Sequence, residues 1–277
     1  METIPCSVLI LTLNAAATLP RCLRNLSPFA EVLVHDGNST DGTVEIAKRY
    51  GARVLKQEDT DEPNIRVKDF TKMRLRQRED AACDWVLYLD ADEELSDELI
   101  QEVEQVLRAA HEKVIVKVPR LPVVEGRVVS HGAFWPEIVP RMHHRRGGCT
   151  LQAGRKVHEK YVYDGSFVEI TTHSPLFVPL DPLITLLQKD RKYIHLEIAL
   201  VRERGGYPWS HYLWWILLRE PCVIVNICLR ICLCRLQYRW GQCLPLCYEW
   251  RAVRYHLRLL LHFTAFMLSP RRTERVS

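Results

Sequence analysis

DWVLYLDADEEL, Asp84 to Leu95, is the stretch whose reading decides the fold. Trp85 to Leu89 are aromatic, β-branched or leucine, the composition of a strand buried on both faces, and the run ends abruptly in Asp90-Ala91-Asp92. A strand that delivers carboxylates to its C-terminal edge delivers them where open α/β sheets bind ligands. Two carboxylates separated by one small residue are able to turn toward a hard divalent cation, which prefers oxygen ligands and often shares them with a phosphate. The stretch therefore predicts a metal-diphosphate site, with Glu93 and Glu94 as solvated charge leading to the next helix.

Working outward toward the N-terminus, Ser7 to Leu13 is a continuous apolar run ended by Asn14, a second buried strand. Asn14 or Thr18 opens an amphipathic helix through Leu19, Cys22, Leu23 and Leu26. Glu31 to Val34 is a strand running into the turn HDGNSTDGT, where Gly37, Asn38 and Gly42 supply backbone freedom and Asp41 or Thr43 caps the helix TVEIAKRYG. A strand at Ala52 to Leu55 follows. This alternation predicts a parallel sheet with right-handed crossovers.

Residues 63 to 83 read as a charged helix leading into the acidic strand end. Beyond it, Ser96 caps a helix with acids in its first turn, running to about His111. KVIVKVPRL is a strand, and a stretch rich in Gly, His and Arg fills residues 126 to 163.

The 277 residues carry a net charge of +4. Residues 181 to 277 hold 15 Lys/Arg against 7 Asp/Glu, so the basic excess lies at the C-terminal end. From Leu180 the pattern is helical, with Trp, Leu and Cys beside the positive charge. That mixture suits an anionic membrane surface and not a nucleic-acid groove.

The apolar segment Pro221 to Cys234 is shorter than the roughly 20 residues that span a bilayer, and Arg230 interrupts it. A helix lying in the interface, or a re-entrant one, is expected, with a helical subdomain packed on the sheet as the alternative. METIPCSVLILTL opens with an acid and its apolar run is strand-length, so no secretory signal is read and a cytoplasmic location, peripheral on the inner face of the membrane, is expected. The ten cysteines are then expected to stay as thiols.

Three ordered segments, Ser7 to Asn14, Asp36 to Thr43 and Asp84 to Glu93, resemble the family 2 glycosyltransferases, whose nucleotide-sugar-binding domain has the GT-A fold. A narrower resemblance, to the lipopolysaccharide-core β-glucosyltransferase-like branch, is carried by DWVLYLDADEEL, by Phe70-Thr71-Lys72, and by Arg141 followed by Val157-His158-Glu159. It implies an α/β domain over residues 1 to 178 and a basic, membrane-associating helical region over 179 to 277.

It also implies a nucleotide-diphosphate sugar as donor and Mg²⁺ or Mn²⁺ as cofactor. Asp36 would contact the base, Asp90 the ribose or the metal, and Asp92 the metal. Asn14, Lys72 and Arg141 complete the candidate donor contacts, and His158 or His173 the metal shell. Inverting transfer needs a base to deprotonate the acceptor hydroxyl. Glu159 is the leading candidate, with a salt bridge to Arg155, Lys156 or Lys160 as its competing role.

Three departures stand out. The turn has Gly37-Asn38 where the resemblance would predict a Ser-Gly or Asp-Gly pair. Met73 to Arg76, MRLR, replaces the alanine and asparagine usual after Phe70-Thr71-Lys72, and Gln237-Tyr238-Arg239-Trp240 is one residue short of the Gln-x-x-Arg-Trp motif of processive synthases. The implied activity is transfer of a single sugar to a cell-envelope saccharide or lipid-linked acceptor. A nucleotidyltransferase-like sugar-phosphate enzyme and a non-catalytic membrane adaptor are the alternatives.

Overall fold

The computed structural model describes residues 3–109, 111–152, 161–203, 208–238 and 242–268. The chain begins with β1 (Ile4–Thr12), α1 (Leu19–Leu23), β2 (Phe29–Asp36), α2 (Thr43–Arg49), β3 (Arg53–Lys56) and α3 (Phe70–Asp80). The acidic stretch gives β4 (Trp85–Asp90) and β5 (Glu94–Leu95), followed by α4 (Asp97–Ala109). Then come β6 (Val114–Val124), β7 (Arg127–Val128), β8 (Glu137–His144), β9 (Thr150–Leu151), β10 (Tyr161–Val162), β11 (Val168–Thr171) and β12 (Leu176–Pro179). Helices α5 (Leu183–Glu203), α6 (Trp209–Trp214), a π turn (Trp215–Arg219), α7 (Glu220–Gln237) and α8 (Leu246–Leu268) complete it.

The central sheet runs β3-β2-β1-β4-β8-β6-β12-β5, with β7 and β11 also paired to β6. Strands β3, β2, β1 and β4 are mutually parallel, the βαβ half expected from the alternation. Antiparallel pairing starts at β8, which lies between β4 and β6. The two faces of β4 divide its side chains. Trp85, Leu87 and Leu89 join the larger core with Leu19, Cys22 and Leu23 of α1, Ala47 of α2 and Leu99 and Val103 of α4. Val86 and Tyr88 face the other way, with Leu9 and Leu33. On that side lies α3, whose Gln77 side chain donates to the Ile10 carbonyl at 3.0 Å. The result is the α/β architecture with flanking helices that the sequence implied.

Local chemistry sets the helix starts. The Asp69 carboxylate accepts the Lys72 N–H at 3.0 Å and starts α3, and Ser96 Oγ accepts the Leu99 N–H at 3.1 Å and starts α4. Helix α1 begins later than Asn14, which instead adopts a left-handed conformation at φ 51°.

Geometry also requires the sheet to curl. Strands β4 and β5 are four steps apart in the sheet, about 19 Å at the usual interstrand spacing. Asp90 and Glu94 are joined by four residue steps, which reach at most about 14 Å. The turn between them is tighter still, because the Glu93 N–H donates to the Asp90 carbonyl at 2.9 Å. The far strands therefore wrap back toward the end of β4.

The chain separates into two compact units. One comprises residues 1–122 with 137–179, and the other residues 123–136 with 180–277. In the second, Val124 and Val129 pack with Trp135, Leu180, Leu244 and Tyr248. A further core there joins Ile194, Val201, Tyr212, Leu259 and Phe263. Among the described residues no helix is long and apolar enough to cross a membrane. The ten cysteines are free thiols.

Candidate active site

A cavity of about 440 Å³ opens in the first unit, lined by Phe70 and Arg74 of α3, Tyr88 and Asp90 of β4, Arg120 of β6, Glu137 and Arg141 of β8, and Tyr161 of β10. Asp90 reaches it because β4 ends there. Its carboxylate is gripped from two sides, by Arg74 at 2.6 Å and by Arg141 at 3.3 Å. Burial alone would raise the Asp90 carboxyl, but the charges of Arg141 and Arg74 outweigh it and hold the group at about 2. Asp90 is thus ionised at any physiological pH.

Glu93 corrects the reading of it as solvated charge. It is wholly buried, with its Oε2 accepting the Asp90 N–H at 3.1 Å and its Oε1 meeting Arg120 at 3.0 Å and also Arg141. Burial pushes its carboxyl above the ordinary value, Arg141 and Arg120 oppose that, and the Asp90 charge adds to the rise. Arg120 reaches on to Glu137 at 2.9 Å, so a continuous ionic chain runs from Asp90 across the curl of the sheet to β8. Glu94, half-buried, pairs with Arg21 at 3.3 Å.

The unusual MRLR segment now has a physical account. Arg74 supplies one of the two guanidiniums on Asp90 and stacks over the Tyr88 ring at 5.1 Å. Its departure from the expected alanine places a cation at the cavity wall.

Asp36 lies at the end of β2, 3% exposed. It accepts from Thr12 Oγ1 at 2.8 Å, the Ser39 N–H at 2.7 Å and Ser39 Oγ at 2.6 Å. Each carboxylate oxygen has two lone pairs, so Oδ2 retains one for a ligand donor. Gly37 is required by the same turn, since a Cβ there would lie 2.3 Å from the Ile65 carbonyl oxygen.

The backbone donors of the first βα loop are engaged internally. The N–H groups of Asn14, Ala15 and Ala16 donate to Ser39, Thr43 and Asp41 side chains at 2.8, 2.8 and 3.1 Å. Asn14 Oδ1 accepts the Thr40 N–H at 3.0 Å, which ties the two loops together. Lys72 is exposed on the first turn of α3.

Asp92 is exposed on the turn after β4, and its carbonyl accepts from Arg21 at 3.2 Å. His173 lies between β11 and β12, where its N–H donates to Glu102 of α4 at 2.9 Å. Among the described residues no three His, Cys, Asp or Glu side chains converge on a common metal position, so Asp90, Asp92 and His173 are not gathered into one donor set. Asp90 is neutralised by two arginines, and Asp92 stands exposed on the turn that follows it. One carboxylate with phosphate and water oxygens is a donor set that suits Mg²⁺. The expected His158 and Glu159 lie outside the described residues.

Residues 7–155, more than half of the chain, match the description "Glycosyl transferase family 2". The chain is 29% identical over 210 residues to the lipopolysaccharide core biosynthesis glycosyltransferase LpsC of Rhizobium meliloti (strain 1021), covering 74% of each protein. It is 30% identical over 170 residues to the uncharacterized glycosyltransferase RP128 of Rickettsia prowazekii (strain Madrid E), covering 60% of this chain and 51% of that one.

Among solved structures, S. aureus TarS 1-349 in complex with UDP-GlcNAc is 15% identical with a TM-score of 0.48, covering 96% of this chain and 92% of that one. Glucosyl-3-phosphoglycerate synthase from Mycobacterium tuberculosis, in complex with Mn²⁺ and UDP, is 25% identical over 45% of each chain with a TM-score of 0.34. Those two scores register a likeness and nothing finer. The match over residues 7–155 makes this chain a member of glycosyltransferase family 2.

Proposed function

We propose that the chain moves one sugar, with inversion at the anomeric carbon, from a nucleotide-diphosphate donor to a cell-envelope saccharide or lipid-linked acceptor. The observation that carries this reading is the cavity at the end of β4, where ionised Asp90 is locked between Arg74 and Arg141 inside the family-matched residues. Asp36 offers its remaining lone pair to the nucleotide base, and Asp90 accepts from the ribose. Asn14, Lys72 and Arg141 are the further donor-side contacts. The arginines, already fixed by carboxylates, are pre-oriented toward the charge that builds on the leaving diphosphate.

A divalent cation, Mg²⁺ or Mn²⁺, held by Asp92 would neutralise part of that charge when bound. Glu159 is the proposed base for the acceptor hydroxyl. The acceptor class follows the name of the Rhizobium relative, a lipopolysaccharide-core enzyme.

The second unit is proposed to rest on the anionic inner face of the cytoplasmic membrane. Trp214, Leu218, Val225, Leu229, Leu233 and Leu236 are all large, apolar and exposed, and they recur at helical spacing along α6, the π turn and α7. Exposed Arg219 and Arg230 lie on the same stretch. Deleting residues from Ser210 onward is expected to release the protein from anionic vesicles.

The deciding experiment is Asp92→Ala, assayed for transfer and for thermal stabilisation by nucleotide sugars with and without metal. The variant should melt like the wild type, because Asp92 is exposed, and should lose both transfer and the metal-dependent part of the stabilisation. Undiminished transfer would refute the assignment.

A further inference from the structure

The helical unit contains a second cavity, also of about 440 Å³, walled by Trp214, Trp215 and Phe263 on the apolar side and by His211, Arg219 and His256 on the polar side. Three features set it apart from ordinary helix packing. First, the π turn Trp215–Arg219 forms part of its wall. Widened turns of this kind are rare in helices and concentrate at functional sites, because they redirect side chains that a regular helix would point elsewhere.

Second, Glu220 is wholly buried and both of its oxygens are used, one by Arg219 and the other by His256 Nδ1 at 2.7 Å. A buried carboxylate is costly unless paired, and here the pairing fixes a guanidinium and an imidazole at the cavity. The Arg219 side chain remains 47% exposed, with its guanidinium 6.0 Å from the Trp215 ring centre. The other carboxylate of the lining, Glu197, accepts from the Tyr255 hydroxyl at 3.1 Å.

Third, Leu217 and Leu218 of the π turn, which do not line the cavity, are apolar and open to solvent. Leu217 and Leu218 are 67% and 57% exposed, and Trp214 is 49% exposed. Fixed donors beside exposed Trp and Leu match the chemistry of a lipid phosphate at the acyl boundary. A guanidinium gives charge-assisted hydrogen bonds to phosphate oxygens and an imidazole N–H adds a further donor, while the apolar neighbours enter the interface.

We infer that this cavity seats the phosphate headgroup of a membrane phospholipid, through Arg219 and His211. The inference rests on the membrane reading given above, and makes that contact a built site as well as a general attraction.

The test compares three variants of the full chain, two of which each remove one positive charge from the same stretch. Binding to phosphatidylcholine vesicles is measured with and without phosphatidic acid. Arg230→Gln should weaken binding about fivefold, as loss of one surface charge does. Arg219→Gln should weaken it about fiftyfold, and His211→Gln, which leaves both partners of Glu220 in place, about tenfold.

Equal losses in Arg219→Gln and Arg230→Gln, with none in His211→Gln, would overturn the site while leaving the membrane reading standing. Failure of the wild type to bind any vesicle would overturn the membrane reading itself. Dihexanoyl phosphatidic acid below its micelle concentration is the soluble probe. It should raise the wild-type melting temperature and leave Arg219→Gln unmoved; an equal rise with inorganic phosphate alone would show an anion site and overturn the lipid assignment.

Discussion

In the first unit Arg74, Glu93, Arg120 and Arg141 are drawn largely out of solvent around Asp90, while in the helical unit the leucines and tryptophans of α6 and α7 stand in solvent. Each is a reversal of the usual partition, and such reversals are what mark function on a folded chain. The difference lies in what compensates them. Charge inside is stabilised by other charge placed by the fold itself. Hydrocarbon outside is left uncovered by the described residues, and it is this surface that the proposed membrane contact would bury.

The largest expected effect tests the charged side. Glu93→Ala leaves Arg120 and Arg141 without their shared anion, and should lower unfolding free energy by about 3–5 kcal/mol in urea titration. A loss under about 1 kcal/mol would mean that water already screens the cluster.

On the apolar side, Leu229→Glu with Leu233→Glu should reduce vesicle partitioning by about two orders of magnitude, since each leucine contributes about 1.5 kcal/mol or more when buried. The same double variant should leave the melting temperature in solution nearly unchanged, because both residues are exposed. A large drop in melting temperature would show that the face is a core.

A pH-graded effect, about 1.4 kcal/mol for each unit, separates buried charge from buried neutral polarity. His143 of β8 is 1% exposed, both ring nitrogens lack a hydrogen-bond partner among the described residues, and it packs against Tyr88 and Tyr161. Burial, with the charges of Arg78 and His144, pushes it down to about 3 from the ordinary 6.5. The unfolded chain therefore binds a proton below pH 6.5 that the native state refuses until about pH 3. Stability should fall by about 1.4 kcal/mol per pH unit across that window as pH drops. His143→Phe should flatten the fall, seen as melting temperature against pH.

The smallest effect calibrates the rest. Arg108→Gln removes an exposed ion pair to Glu104 one turn away, and should cost about 0.5 kcal/mol or less.

The parallel half of the sheet was legible in the sequence because its information is local: Ser7 to Leu13 and Trp85 to Leu89 are apolar without a break, and Gly37 and Gly42 mark the turn between crossovers. The ends of β4 and β2 were legible for the same reason, which is how Asp36 and Asp90 came to be singled out. Glu93 reads as solvated charge because its partners, Arg120 and Arg141, come from strands β6 and β8, and nothing in its own sequence neighbourhood distinguishes it from Glu94, which is half-buried. Arg74 was noticed only as a departure. Its meaning required α3 to be laid against β4. The antiparallel strands β9 and β10 are two residues each, too short for any alternation to show.

The turn Ala91 to Glu93 joins two strands that are distant in the sheet and brings them within reach of one another. It is in effect a clasp, and the acidic triplet is mounted on it. Its length is set by mechanics as well as by chemistry: lengthening the clasp would slacken the curvature that brings Arg120 up to Glu93. The spacing of the two aspartates and the curvature of the whole sheet are thus one dimension of the molecule, and neither is free to change alone.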